Sequence, residues 1–144
     1  MLDAKDLRIG NLFNHFEDGI LLIEEIKKDS DGFEGYYAVF RNGSTKCHVS
    51  YLAPIELTEE WLLRFGFEVD DDLGDQIYYQ IPNQKNGYGI CFDHDDIAFY
   101  KFYGNGGENV HTLIHDEEHL QYVHQLQNLY YALTQTELTL KDEK

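Results

Sequence analysis

The chain has 144 residues, of which 42% are apolar and 15% aromatic, so a folded core is expected and global disorder is excluded. It carries 27 acidic residues against 11 Lys and Arg, a formal net charge of −16, which disfavours direct binding to nucleic acid or to anionic membranes and favours basic protein partners. No apolar run reaches the length of a membrane span, and Cys47 and Cys91 lack a metal-binding or disulfide pattern, so a cytoplasmic location is expected.

The first part of the chain is predicted to form a meander of short strands. The dipeptides Asp18-Gly19, Asp31-Gly32 and Asn42-Gly43 are typical of hairpin turns between β-prone runs. The strands are expected at 8–16, 19–27, 33–41 and 45–51. This number of strands in so short a segment predicts a small SH3-like β-barrel lobe at residues 1–57.

A short helix and a second group of strands follow. Thr58 is a suitable N-cap, and Gly66 favours termination of the helix after Phe65. An acidic loop is expected at 69–75, and extended segments are expected at 76–82, 88–93, 97–103 and 110–115. These elements predict an antiparallel β-meander in a second region, residues 58–144, which shares one core with the first.

The strongest helical period of the sequence lies at 117–138. Apolar side chains recur there at steps of three and four residues: Tyr122, Val123, Leu126, Leu129, Tyr130 and Leu133. Such a stripe must pack on an apolar surface, which the meander offers on the face that carries Tyr79 and Ile90. The fold class predicted is α+β, with one long C-terminal helix packed on the sheet and a ragged tail from Thr134.

The other face of the meander carries the aromatic rings of Tyr78, Tyr100 and Phe102. A sheet that is apolar on both faces is normally covered on both. The cover is either the barrel lobe or another subunit, so a homodimer through these three rings is one of the predictions.

Three segments in the chain are DLRIGN at 6–11, LTEEWLLRFGFE at 57–68 and YVHQLQNLYYALTQTEL at 122–138. Together and in this order they resemble a family of small uncharacterised proteins from phages and prophages of Bacteroidetes-type bacteria. The resemblance implies an accessory protein that works in a bacterial cytoplasm. It implies no activity, cofactor or catalytic residue, because none is established for the family.

Histidines before the predicted helix raise the question of a metal site. His111, His115 and His119 are spaced by four residues, and histidines at i and i+4 on a helix can bind zinc. His94 is a further candidate ligand. The acidic residues 116–118, however, are typical of a first helical turn, which places His115 at or before the cap, where this geometry fails. No metal site and no cofactor is predicted, and a histidine-based metal-binding module stays an alternative.

No group of residues in the sequence has the pattern of a catalytic site. The serines lack a nucleophile elbow, and Cys47 and His48 point to opposite faces as neighbours on a strand. The glycine-rich segment 104–107 lacks the lysine and the following helix of a phosphate-binding loop. The sequence therefore predicts a protein that is not an enzyme.

The acidic residues concentrate in two clusters of the second region. The predicted partner surface consists of Asp70, Asp71, Asp72, Asp75, Asp93, Asp95 and Asp96. Between Gly66 and Phe99, eight acids stand against Lys85 alone, a net charge of −7. The leading hypothesis is a protein that acts by protein–protein interaction with a basic partner. The alternative is an acidic mimic of nucleic acid that inhibits a host defence enzyme.

Overall fold

In a computed structural model the chain is an α+β protein built mostly from antiparallel strands. The structure describes residues 7–17, 19–28, 36–40, 45–72, 74, 76–80, 88–93, 96–102, 110–115 and 120–141. It contains two compact units, the first formed by Met1–Glu56 and Tyr122–Leu133 and the second by Leu57–Gln121 and Thr134–Lys144. The change from first to second unit falls beside the predicted boundary at residue 57, but each unit takes up two separate pieces of chain.

The described part of the first unit contains six short strands. They are β1 (Leu12–His15), β2 (Gly19–Leu22), β3 (Glu25–Lys28), β4 (Tyr36–Phe40), β5 (Thr45–His48) and β6 (Leu52–Ala53). They form two three-stranded antiparallel sheets with the orders β2-β1-β6 and β3-β4-β5. A 3₁₀ turn at Val49–Tyr51 joins the last two strands.

Ile23 and Glu24 lie where the chain passes from one sheet to the other. Ile23 N–H donates to Asn11 O at 2.9 Å, whereas Glu24 N–H donates to Val39 O at 2.9 Å on β4. The side chains buried together in this unit are Phe13, Leu21, Ile23, Ala38, Phe40, Val49 and Leu52. In the described part of the chain the strands do not close into a barrel, and the predicted SH3-like barrel is not confirmed.

The C-terminal helix, α2 (Val123–Thr134), lies in the first unit except for its last residue. It has 12 residues, fewer than the predicted span of 117–138, because residues 120–122 are not helical and Gln135 has a positive φ of 58°. Val123 N–H donates to Ile55 O at 2.8 Å, within the same unit. The prediction that this helix packs on the meander is not confirmed, and the helix forms one unit with residues 1–56.

The second unit begins with the helix α1 (Glu59–Arg64), whose ends follow the sequence signals. Thr58 is the N-cap residue in an extended conformation, although its hydroxyl makes no capping hydrogen bond, and Phe65 is the C-cap. Gly66 has a φ of 93°, a left-handed conformation that glycine adopts without strain. The buried side chains of this segment are Trp61, Leu62 and Phe65.

Five antiparallel strands form the sheet of the second unit. They are β7 (Glu68–Asp72), β8 (Gln76–Gln80), β9 (Tyr88–Asp93), β10 (Asp96–Phe102) and β11 (Val110–His115), in the order β11-β10-β9-β8-β7. The strand predictions for this region are confirmed apart from small differences at their ends. The predicted acidic loop at 69–75 is corrected, because residues 68–72 form a strand at one edge of the described sheet.

The two faces of this sheet separate as alternation predicts. Tyr79, Ile90 and Phe99 are directly paired across β8, β9 and β10, and all three are fully buried. Cys91 and Tyr100, which are also buried, lie on the opposite face. A core side chain therefore comes from each of the three central strands.

Residues 135–141 are not the ragged tail that the sequence predicts. Leu138 and Leu140 are buried, and Lys141 N–H donates to Arg64 O at the end of α1 with a distance of 2.7 Å. Burial of each leucine contributes about 1.5–3 kcal/mol toward holding this segment in place. The end of the described chain is thus part of the second unit.

Candidate functional site

Both predicted acidic clusters reach the same end of the five-stranded sheet. Asp72 is paired with Ile77, and Asp93 is paired with both Gln76 and Asp96. At this end β7 and β9 stop while β8 and β10 start. We call Asp72, Asp93 and Asp96 the acidic end of the sheet.

The structure describes the seven predicted surface residues in different degrees of detail. Asp72 and Asp96 are exposed, and Asp93 is the last residue of β9. Asp70 and Asp71 are backbone positions on β7, and Asp75 and Asp95 lie outside the described residues. The described part of the surface therefore consists of the edge strand β7, the last residue of β9 and the first residue of β10.

Asp93 and Asp96 occupy directly opposite positions on neighbouring strands. Opposed positions in an antiparallel pair have Cα atoms about 4.5–5.5 Å apart, and like charges placed there destabilise the sheet. Binding of a cation at this position reduces that repulsion. The register thus supplies a physical reason for this end to attract positive charge.

A β-bulge on β7 brings Asp72 to the face of the sheet that carries Tyr79. Val69 is paired with Tyr79 and Asp72 with Ile77, and the register shifts between Val69 and Asp71. Tyr79 and Ile77 share a face because they are two residues apart. Val69 and Asp72 are three residues apart and would face opposite sides in a regular strand, so the extra residue of the bulge re-aims Asp72.

The Tyr79 phenol lies close to two carboxylates. Its side chain is fully buried, and its Oη has no hydrogen-bond partner among the described residues. Burial raises the pKa of Tyr79 well above its usual value, and it is raised further by the Glu59 carboxylate, which approaches the hydroxyl without reaching hydrogen-bond geometry, and by the charge of Asp72. A neutral phenol therefore lies beside two exposed acids, one from α1 and one from β7.

The candidate metal ligands are not brought together as a helical pair. His111 and His115 lie on β11, where four residues span about 13 Å of backbone. His94 and His119 lie outside the described residues. In the portion of the chain that the structure describes, no group of three or more His, Cys, Asp or Glu side chains is arranged to hold a metal ion. The hypothesis of an i and i+4 pair on a helix is corrected for His115.

In the aromatic face predicted to form a homodimer, Tyr100 is buried within the second unit. Tyr100 is 1% exposed, its ring makes an edge contact with Tyr78 at 5.3 Å, and its Oη donates to Tyr79 O at 3.3 Å. The side chain of Phe102 lies outside the description. Tyr100 is therefore a core residue of the second unit, which corrects its role as an exposed contact.

A group of polar residues in the first unit was not anticipated from the sequence. Gln127 on α2 is 1% exposed, accepts a hydrogen bond from Leu12 N–H at 2.9 Å and donates to Gly10 O at 3.0 Å. Next to it, Asn128 Oδ1 accepts hydrogen bonds from Asn11 Nδ2 at 2.8 Å and from Arg8 Nε at 3.1 Å. We call Arg8, Asn11, Gln127 and Asn128 the polar clamp.

The polar clamp joins the segment DLRIGN at 6–11 to the segment YVHQLQNLYYALTQTEL at 122–138. The sequence held one signal for it: Gln127 stands four residues after Val123 and so shares the face of the apolar stripe. A polar residue in such a position requires buried partners. The hydrogen bonds of the clamp hold residues 8–12 against α2, and we assign the clamp a structural role.

No protein-family model, curated protein or solved structure matches this chain. Among the described residues no helix is long and apolar enough to cross a membrane. Function is therefore inferred from the geometry and charge of the molecule itself.

Proposed function

We propose that this chain is a non-enzymatic accessory protein of phage or prophage origin that acts in the bacterial cytoplasm by binding a basic protein. The acidic end of the sheet is its contact surface. The observation that carries the proposal is that Asp72, Asp93 and Asp96 lie at the same end of the sheet. Asp93 and Asp96 directly oppose each other on one face, and Asp72 lies on the face of Tyr79. The repulsion between these carboxylates decreases when a cationic surface covers them.

The net charge of the chain supports the same choice of partner. A chain with a net charge of −16 repels phosphate and anionic lipid at long range and accelerates encounter with positively charged proteins. At physiological salt this steering acts over about 8 Å, so local clusters matter more than the total. The acidic end brings acidic residues from both faces to one end of the sheet.

The first unit is part of this proposal as a scaffold. Two three-stranded sheets meet at Ile23 and Glu24, which supports a likeness to a small, incompletely closed SH3-like barrel. The unit contributes a stable body rather than the contact surface, because its acids at Glu24 and Glu25 are accompanied by Lys27 and Lys28.

The proposal is tested with a charge-neutral variant of the acidic end, Asp72→Asn with Asp93→Asn and Asp96→Asn. Immobilised wild-type protein is expected to retain basic proteins from bacterial lysate at low salt and to release them as salt is raised. The triple variant is expected to lose them. The matched control replaces three exposed acids of the first unit, Glu17, Glu24 and Glu25, by Gln and is expected to behave as wild type. Equal retention by both variants would contradict the proposal.

A second candidate function is imitation of nucleic acid. It is favoured by the arrangement of the acids along one end of a sheet, on β7, β9 and β10, with strands spaced about 4.8 Å apart. Such a row of charge suits the positive groove of a host defence enzyme. The two candidates differ in a competition experiment: added duplex DNA displaces the captured protein if the protein imitates nucleic acid. A captured partner that DNA leaves in place contradicts this second candidate.

A further inference from the structure

The surroundings of Tyr79 hold a polar atom that the described residues do not satisfy. Its side chain is fully buried, and Oη lacks a hydrogen-bond partner in the described part of the chain. Buried hydroxyl groups are normally bonded, so such an atom beside two carboxylates points to a ligand. The bulge of β7 turns Asp72 to the same face, and Glu59 approaches from the first turn of α1.

The three groups define what a ligand must supply. Two carboxylates require positive charge, and the phenol oxygen can accept a hydrogen bond. Asp72 Oδ1 already accepts Gly74 N–H at 2.9 Å, which leaves Oδ2 for another donor. A lysine ammonium is a compact cation with three N–H donors, one for each of the three oxygens.

We propose that Glu59, Asp72 and Tyr79 form a subsite that accepts a lysine side chain of the basic partner. The ammonium lies between the two exposed carboxylates, and rotation of the Glu59 side chain exposes Tyr79 Oη to it. The inference rests on the proposed function, because the lysine belongs to that partner. It adds a specific contact to a surface that otherwise acts through charge alone.

The test measures binding of a fluorescein-labelled hexalysine peptide by anisotropy to the whole protein and to three variants, Glu59→Gln, Asp72→Asn and Tyr79→Phe. Each is expected to weaken binding by about tenfold, since each removes one hydrogen bond to a charged group. The matched control is Glu60→Gln, which removes the same charge from the same helical turn and is expected to change binding by less than about twofold.

Tyr79→Phe separates a specific contact from general attraction, because it changes no charge. The variant also removes an unsatisfied hydroxyl, so its melting temperature is expected to equal or exceed that of wild type. If this variant does not fold, the comparison of Glu59→Gln with Glu60→Gln decides, since both acids are exposed.

The outcomes distinguish the subsite from the proposed function. Equal binding of hexalysine by Glu59→Gln, Tyr79→Phe and Glu60→Gln overturns the subsite, while loss of binding in the triple variant of the acidic end still supports the function. Failure of wild-type protein to bind hexalysine overturns both. Hexa-arginine is expected to depend less on Tyr79, because a planar guanidinium fits three converging oxygens poorly, and an equal dependence overturns the assignment to lysine.

Discussion

Gly89 shows how one small residue fixes the second face of the sheet. A Cβ atom at this position would lie 2.5 Å from Tyr100 Oη and 2.5 Å from Tyr79 O. The ring of Tyr100 occupies the space that a side chain on the opposite strand position would need. The glycine is therefore required for close approach, and Tyr100 covers the backbone that it exposes.

We expect Gly89→Ala to lower the free energy of unfolding by at least about 2 kcal/mol, because neither backbone nor ring can move freely to accept the methyl group. Thermal and urea unfolding measure the effect. In the double variant with Tyr100→Ala, the ring contacts are gone, so the combined loss should be smaller than the sum of the two single losses. Wild-type stability of Gly89→Ala would contradict the packing.

Tyr79 makes stability depend on alkaline pH. Its pKa is raised in the folded protein, mainly by burial, whereas an unfolded tyrosine titrates near pH 10. Below about pH 10 both states hold the proton and the stability is complete. At higher pH the unfolded state loses the proton first, so the free energy of unfolding falls as pH rises.

The prediction is that the melting temperature of wild type declines above about pH 10 more steeply than that of Tyr79→Phe. Tyr51→Phe, which removes an exposed phenol, serves as the control and should follow wild type. Parallel curves for wild type and Tyr79→Phe would show that the buried phenol does not govern the alkaline decline.

At the scale of elements, the helix α2 is held by polar contacts as well as by apolar ones. Val123, Leu126 and Tyr130 of the predicted stripe are buried, but Leu133 is 41% exposed, and His124 and Gln127 are buried instead. The ring of His124 packs against Phe13 in a tilted arrangement, with centroids 4.8 Å apart. The buried side of the helix is thus rotated from the predicted stripe toward the polar clamp.

We expect Gln127→Ala to destabilise the first unit by about 2–3 kcal/mol, because Leu12 N–H and Gly10 O lose their partner in a buried place. Hydrogen exchange at Leu12 and Ile23 reports on this unit directly. Gln125→Ala on the same helix removes the partly buried bond from Tyr122 N–H and should cost less than about 1 kcal/mol. An equal loss of stability in Gln127→Ala and Gln125→Ala would contradict the importance of the buried hydrogen bonds of Gln127.

The sequence predicts the ends of an element closely where local signals mark them. It fails for elements that depend on pairing with a distant strand. The ends of α1 follow from Thr58 and Gly66, which act within one turn of chain. The four acids of 68–72 have low β-propensity and favour a loop, but pairing with β8 overrides that preference and forms a strand. The bulge near Asp70 has no sequence signal of its own.

At the scale of the whole molecule, neither unit is continuous in sequence. The first unit takes residues 122–133 from late in the chain, and the second takes 134–144. Contacts such as those between Leu12 and Gln127 join positions separated by 115 residues. Folding of each unit therefore depends on both ends of the chain, a pattern that slows folding.

A chain that lacks residues 122–133 is expected to lose the first unit, because the partners of Gly10, Leu12 and Ile55 disappear. Hydrogen exchange should then be rapid across β1 to β6. A chain shortened only by residues 142–144 is the control and should keep its protection. Slow exchange at Leu12 and Ile23 in the chain that lacks 122–133 would show that this unit stands without α2.

Local sequence patterns predict the class of fold, the positions of most strands and of both helices, and the location of the acidic clusters, because periodicity, caps and charge act between near neighbours. Long-range contacts determine which unit α2 joins, place Tyr100 in the core and turn Asp72 to the face of Tyr79. An amphipathic stripe indicates that one face of a helix must be covered, but it does not identify the surface that covers it. Which surface covers it depends on contacts between distant residues, such as those of Gln127, that no local pattern records.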